Sequence, residues 1–216
     1  KPAAIEFLDH VLLDQSRGQR EFQTARDLLE LDARPAQGVL AVEFYGDVDA
    51  RLAAFEKRPI GSRKKVMQTL AQINLVWSLR KAGLSLLTGR KGGAKPATCI
   101  EDAAVRPKDL PAYYAGLAKI MAKVGLEASY YGHAGAGLLH VRPMIDLHSA
   151  EDLKKFRQIT DETAALVKQF KGSFAAEHGV GIGRTEYLKD QVGEDLYLLM
   201  RQIKKSFDPH NLLNPG

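Results

Sequence analysis

Two short apolar segments joined by a turn of small residues constrain the fold of this chain more than any other feature. Residues 129–132 and 138–142 are rich in aromatic and aliphatic side chains, and only five residues, His-Ala-Gly-Ala-Gly, lie between them. So short a connection joins antiparallel strands, because parallel strands need a crossover of a dozen or more residues. The sequence therefore predicts an antiparallel hairpin, which disfavours a doubly wound parallel sheet.

Hydrophobic patterning predicts the remaining elements. Further strands are expected at residues 39–45, 97–105 and 174–177. Helices are expected at residues 19–31, 63–82, 107–124, 149–171 and 194–207, the fourth of them capped by Ser149. This irregular mixture predicts an α+β fold, with an antiparallel sheet covered by helices on one face. A length of 216 residues fits a single domain.

Composition narrows the class of protein. The net charge of +5 is dispersed along the chain, so we do not expect nucleic-acid binding. Cys99 is the only cysteine, which excludes an internal disulfide and a cysteine-based zinc or iron–sulfur site within this chain. It also fits a reducing compartment, so the predicted localisation is cytoplasmic. No run of 18 apolar residues occurs, and no membrane span is predicted.

Two histidines in the hairpin could form a metal site. If residues 136 and 137 form a two-residue loop, His133 lies directly opposite His140. Opposed side chains share a face with Cβ atoms ~4.5–5.5 Å apart, which lets two imidazoles reach one metal ion at ~2.1 Å. The alternative is a pair of polar side chains on a solvated face of the hairpin.

A second motif, Ala-Glu-His-Gly at residues 176–179, could complete this site. Glu177 could be the third ligand, and two histidines with one carboxylate suit zinc, manganese or iron(II). His178 could be a general base, provided that the predicted strand ends there and Gly179 permits the break. The glycines that follow do not fit a dinucleotide-binding motif.

Two arginines could bind an anionic substrate. Arg142 is two residues beyond His140, so on a strand it faces the same side. A cation beside a metal site is favourable when an anion bridges the two, and a guanidinium binds carboxylates through two hydrogen bonds. Arg80, on a predicted helix, is a second candidate, although it could equally be a solvated charge.

Five segments occur in a characteristic order along nearly the whole chain, at residues 77–80, 101–105, 132–140, 177–181 and 207–216. Together they resemble the C-terminal domain of FAD-linked oxidases of the vanillyl-alcohol-oxidase type. That family includes D-lactate dehydrogenases, the glycolate oxidase flavin subunit and D-2-hydroxyglutarate dehydrogenases. The resemblance implies a ferredoxin-like cap domain. The amino-acid sequences of residues 101–105 and 140–143 are most similar to those of long family members that carry a further iron–sulfur domain.

The resemblance also implies roles for individual residues. It assigns His133, His140 and Glu177 to a divalent metal, zinc or manganese, and His178 to the base. It assigns Arg80 to the substrate carboxylate and Asn214 to the flavin side of the site; Arg142 replaces an Asn found in many relatives and suits a dicarboxylate. The hairpin also departs from the Gly-Asp-Gly-Asn of many relatives, with Gly-Ala-Gly-Leu at residues 135–138.

The implied activity is oxidation of a 2-hydroxy acid such as D-lactate, glycolate or D-2-hydroxyglutarate, with hydride transfer to FAD. FAD would be bound mainly by a preceding domain of the same polypeptide, which residues 1–216 do not contain, so this chain alone is expected to be inactive. An iron–sulfur domain is a candidate electron acceptor. Two alternatives stay open, a metal-dependent hydrolase that needs no flavin and a non-catalytic metabolite-binding module.

Overall fold

The computed structural model describes residues 1–215, so the final residue of the C-terminal motif, Gly216, lies outside the described residues. The strands are β1 (Ala4–Asp9), β2 (Gly38–Glu43), β3 (Lys95–Pro96), β4 (Ala103–Ala104), β5 (Ala128–Gly132) and β6 (Leu138–Ile145). They pair antiparallel in the order β2-β1-β5-β6-β3, and β4 also pairs with β6. The predicted α+β fold with an antiparallel sheet is confirmed.

Helices pack against both faces of this sheet. They are α1 (His10–Gln15), α2 (Arg20–Leu28), α3 (Val48–Glu56), α4 (Leu70–Lys81), α5 (Gly83–Thr88), α6 (Leu110–Val124), α7 (Ala150–Gln169), α8 (Gly181–Arg184), α9 (Leu188–Val192) and α10 (Glu194–Phe207). Tyr130 of β5 belongs to one apolar core with α6 and α7, whereas the adjacent Tyr131 belongs to a second core with α1, α2, α4 and α5. The expectation of helices on one face was therefore wrong, because every residue of β5 and β6 is buried.

Local capping explains where two of the helices begin. Helix α4 starts seven residues later than predicted, because Thr69 and Gln72 form a reciprocal capping box at its N-terminus. The predicted cap of α7 is confirmed, since the Ser149 hydroxyl accepts a hydrogen bond from the backbone N–H of Asp152. Among the described residues, no helix is long and apolar enough to cross a membrane.

Two predicted strands are not formed as expected. Residues 97–105 contain only the two-residue β4, and residues 174–177 form a loop, with an isolated bridge between Ala104 and Ser173 before it. The β1 strand, by contrast, was not predicted. Its mixture of buried apolar and acidic residues hides the usual alternation, because two of its carboxyl groups, on Glu6 and Asp9, are buried.

The turn after β5 brings the chain against the segment that follows β4. Gly137 has a φ of +81°, and a Cβ atom there would lie 1.9 Å from the backbone oxygen of Val105. Gly125, which ends α6, also has a left-handed φ of +66°, but no atom lies within 4 Å of its Cβ position. Both glycines adopt a left-handed backbone conformation, but only at Gly137 would an added Cβ atom overlap another atom.

This contrast gives a stability prediction. Gly137→Ala should lower the free energy of unfolding by about 1–3 kcal/mol more than Gly125→Ala, because it adds a steric overlap to the cost of the left-handed conformation. Chemical denaturation of both variants and the parent chain measures the difference. Equal losses in the two variants would show that the turn moves away from Val105 without cost.

Candidate metal and substrate site

The hairpin places the two predicted histidines together, but by a different register from the one expected. Tyr131, not His133, is the residue opposite His140, and residues 134–136 form a single 3-10 turn. In this longer connection, the ring centroid of His133 lies 5.7 Å from that of His140. The predicted pairing of His133 with His140 was wrong, although the two rings are neighbours.

A buried carboxylate shapes the loop that carries the second motif. Asp102 is fully buried, and its oxygens accept hydrogen bonds from the backbone N–H groups of Ala176, Glu177 and His178, at 2.8–3.3 Å. This loop replaces the strand that was expected to end at Gly179. Because the chain bends around Asp102, the side chains of Glu177 and His178 turn to the same side instead of alternating.

Three imidazoles converge on one carboxylate oxygen. The Oε1 atom of Glu177 lies 3.6 Å from the Nε2 of His133, 3.4 Å from that of His140 and 3.2 Å from that of His178. Donor atoms around a tetrahedral metal with ligands at ~2.1 Å lie about 3.4 Å apart. The separations between Glu177 and the three rings therefore match those of a metal's coordinating atoms.

The hydrogen bonds of the three rings fix their tautomers. The Nδ1 of His133 lies 2.8 Å from Oε1 of Glu6, and that of His140 lies 3.0 Å from the backbone oxygen of Glu101. The Nδ1 of His178 lies 3.1 Å from both carboxylate oxygens of Glu101. All these partners are acceptors, so each Nδ1 donates, and the Nε2 atoms are the ring nitrogens that face Glu177. A cation between these nitrogens and the carboxylate, a metal ion or a proton on a ring, balances the charge of Glu177.

A larger set of residues could also hold an ion. Ligand atoms of Asp102, His140, Glu177 and His178 all lie within 4.8 Å of one another. The oxygens of Asp102 already accept backbone N–H groups, and its side chain is fully buried. Asp102 therefore holds the loop. His133 lies outside this group of four, and its Nε2, at 3.6 Å, is the most distant of the three from Oε1 of Glu177.

The environments of two rings differ. Burial lowers the pKa of His140 below its ordinary value of 6.5, which keeps this ring neutral and able to bind a metal. The hydrogen bond from His178 to the Glu101 carboxylate raises the pKa of His178 above 6.5. The imidazole of His178 therefore takes up a proton more readily than an unpaired histidine does.

The predicted substrate arginines are both buried beside Tyr131, and they differ in how many donors are used. Arg80 donates from Nε to Glu6 at 2.9 Å, and its guanidinium lies 5.4 Å from the Tyr131 ring centroid. Arg142 donates from Nε to the Tyr131 hydroxyl at 3.3 Å and from a terminal nitrogen to Glu101 at 3.1 Å. Within residues 1–215, the two terminal nitrogens of Arg80 and one of Arg142 have no hydrogen-bond partner.

Asn214 lies apart from this cluster in the contacts that the structure describes. It is exposed in the C-terminal segment, which Asp208 holds by accepting hydrogen bonds from the backbone N–H groups of Leu212 and Leu213 at 2.8 and 2.9 Å. Its assignment to a flavin side of the site thus stays a prediction.

Sequence reasoning missed four residues that build the site. Glu6 contacts His133 and Arg80, and Glu101 contacts His178 and Arg142. Arg184 is buried, donates to the backbone oxygens of Phe174, Val180 and Gly179, and lies 3.4 Å from Glu101, so it helps to close the loop after Glu177. Glu101 and Asp102 lie within a matched motif, which was a usable signal; nothing in the local sequence around Glu6 or Arg184 singled them out.

Comparison with known proteins agrees with the fold and with the motifs. The family model for FAD linked oxidases, C-terminal domain, matches residues 1–216, and the chain belongs to this family. It is 34% identical to a D-2-hydroxyglutarate dehydrogenase of Pseudomonas putida over all of this chain and 22% of the relative. It is 26% identical to the glycolate oxidase subunit GlcD of Bacillus subtilis, over all of this chain and 44% of the relative. The chain thus spans less than half of the length of these relatives.

A solved structure shows the same fold. It is 4-ethylphenol oxidase from Gulosibacter chungangensis, with a TM-score of 0.65 and 14% identity, and the match covers 99% of this chain and 46% of that one. The resemblance to FAD-linked oxidases that the motifs indicated is therefore confirmed at the level of family and fold.

Proposed function

We propose that this chain is the substrate- and metal-binding part of an FAD-dependent dehydrogenase that oxidises a 2-hydroxy acid. The observation that carries the proposal is the convergence of three Nε2 atoms on Oε1 of Glu177. His133, His140 and Glu177 would hold a divalent metal, zinc or manganese. As a Lewis acid, the bound metal would stabilise the negative charge that develops on the substrate hydroxyl oxygen.

His178 is the proposed base. Its Nδ1–H is held by Glu101, so its Nε2, 3.2 Å from Oε1 of Glu177 beside the proposed metal site, is the nitrogen that would accept the hydroxyl proton. The Glu101 carboxylate would stabilise the imidazolium that results. The hydride from the substrate carbon would pass to FAD, bound mainly by another domain of the same polypeptide. An iron–sulfur domain as the next electron acceptor is part of the same proposal.

Two arginines favour a dicarboxylate as substrate. The unpartnered terminal nitrogens of Arg80 suit a two-point hydrogen bond with the carboxylate next to the reacting carbon. Arg142 retains one free terminal nitrogen beside the same tyrosine ring, at a place where a second carboxylate would find a donor. The relatives named D-2-hydroxyglutarate dehydrogenase support this choice, because the two ends of that substrate are carboxylates.

Substrate choice is testable in the polypeptide that includes the FAD-binding domain. The parent should have a higher kcat/KM for D-2-hydroxyglutarate than for D-lactate or glycolate, measured with a dye as electron acceptor. Arg142→Met should lower kcat/KM for D-2-hydroxyglutarate by roughly 10–100-fold more than kcat/KM for D-lactate, the effect of a lost charge-assisted hydrogen bond. Any loss shared by both substrates reflects the contact of Arg142 with Glu101, which also holds His178.

The matched control is Arg90→Met, which removes an arginine paired with Glu127 at the surface and should leave both activities unchanged. An equal loss for the dicarboxylate and the monocarboxylate in Arg142→Met would contradict a contact with the second carboxylate. Absence of oxidation of all three substrates by the parent, with FAD bound, would contradict the proposed function itself.

A further inference from the structure

We propose that Glu6 is a positioning residue that orients a metal ligand and a substrate-binding arginine at the same time. Glu6 lies on β1, and its side chain is 6% exposed. One carboxylate oxygen contacts Nδ1 of His133 at 2.8 Å, and the other accepts a hydrogen bond from Nε of Arg80 at 2.9 Å. This inference rests on the proposed function and adds to it a residue that neither the motifs nor the relatives' names assign.

The sheet register explains why Glu6 reaches both partners. Phe7 pairs with Gly132, so Glu6 lies across from His133, at the point where β5 enters the turn. Gly132 has a φ of +155°, and a Cβ atom there would lie 2.6 Å from the backbone oxygen of Leu138, so the chain at this crossing is closely packed. Arg80 approaches the same carboxylate from α4, one of the helices on that face of the sheet.

The contact with His133 determines which nitrogen faces the metal. Because a carboxylate only accepts, it keeps the proton on Nδ1 and leaves the Nε2 lone pair directed at Glu177. His133 needs this support more than His140 does, since the His133 side chain is 39% exposed and that of His140 is 7% exposed. Carboxylates that hold metal-binding histidines in this way typically change metal affinity by roughly 10–100-fold when they are replaced.

The contact with Arg80 fixes the plane of the guanidinium. Nε is used by Glu6, and the guanidinium carbon lies 5.4 Å from the centroid of the Tyr131 ring, so the two terminal nitrogens are left as donors for another partner. A carboxylate substrate would then meet a preorganised donor pair. One buried anion therefore sets the direction of both the metal ligand and the substrate cation.

The test uses zinc and D-2-hydroxyglutarate with the polypeptide that includes the FAD-binding domain. Zinc affinity is measured by competition with a chelator. Binding of D-2-hydroxyglutarate to the zinc-loaded protein is measured by titration calorimetry with the flavin reduced, because reduced flavin cannot accept a hydride and no turnover follows. Glu6→Gln leaves one acceptor oxygen for two donors, so it should weaken zinc binding by roughly 10–100-fold and also weaken substrate binding. Arg80→Met should weaken only substrate binding, and Glu127→Gln, which breaks a surface Glu–Arg pair, should change neither.

A double variant separates positioning from folding. Glu6→Gln removes the negative charge opposite the buried Arg80 and could unfold the site, whereas Glu6→Leu with Arg80→Met removes the cation together with both acceptor oxygens. The double variant should melt close to the parent and show a zinc defect at least as large as that of Glu6→Gln. Zinc affinity at the parent level in either Glu6 variant would overturn this inference alone, whereas a parent that binds no zinc would overturn the proposed metal site together with it.

Discussion

Replacing His178 by alanine is expected to lower kcat for 2-hydroxy acid oxidation by roughly 10²–10⁴-fold in the polypeptide that includes the FAD-binding domain. The reason is that the Nε2 of His178 is the proposed acceptor of the hydroxyl proton, with Nδ1 held by Glu101. KM should change little, because in the proposed function arginines, and not His178, bind the substrate carboxylates. Steady-state kinetics on the purified variant, with flavin content matched to the parent, measures both constants.

The control for this variant is His148→Ala. His148 is exposed, and its only described hydrogen bond runs from its backbone N–H to Asp146.

The pH dependence of the parent tests the same assignment independently. The base must be unprotonated to act, and its pKa is raised above 6.5, so kcat/KM of the parent should fall as the pH decreases through a value above 6.5. Full activity of His178→Ala would refute the assignment of the base.

From the sequence we could select those candidate residues that lie close together along the chain. His133 and His140 flank one short turn, and Glu177 and His178 are adjacent, so local patterns and the resemblance were enough to select them. The alternation of polar and apolar residues was less informative on β5 and β6, because both faces of these strands are buried. The hairpin register failed for a related reason, since the 3-10 turn at residues 134–136 added length that spacing alone does not reveal.

The parts that could not be predicted depend on contacts between distant segments. Glu6 and His133 are 127 residues apart, and Glu101 and His178 are 77 residues apart. These contacts exist because β1 lies beside β5 and the segment around β4 lies beside the loop at residues 174–178. Strand order of this kind is a property of the whole sheet, and no local periodicity encodes it.

Loss of metal from a variant that lacks both hairpin histidines is the second large effect. His133→Ala with His140→Ala leaves Glu177 and His178 as donors at this point, fewer than the three protein ligands of a catalytic zinc site. The fold should survive, because His133 is partly exposed and the strands around His140 are held by β1, β3 and β4. Bound metal should therefore fall to background while the circular dichroism spectrum is retained.

A matched control replaces two histidines outside the cluster, His10→Ala with His148→Ala, both exposed in the structure. This variant should retain the metal content of the parent, which excludes a general effect of histidine number on metal uptake. A metal-dependent hydrolase would give the same metal result, and it is distinguished because this chain alone would then hydrolyse ester or amide substrates.

The most direct test of the account is elemental analysis of the purified 216-residue chain after exposure to zinc or manganese and removal of free ions. We expect about one divalent ion per chain in the parent and in His10→Ala/His148→Ala, and none in His133→Ala/His140→Ala. A parent chain without metal, or a hairpin variant that retains it, would contradict the site built by His133, His140 and Glu177.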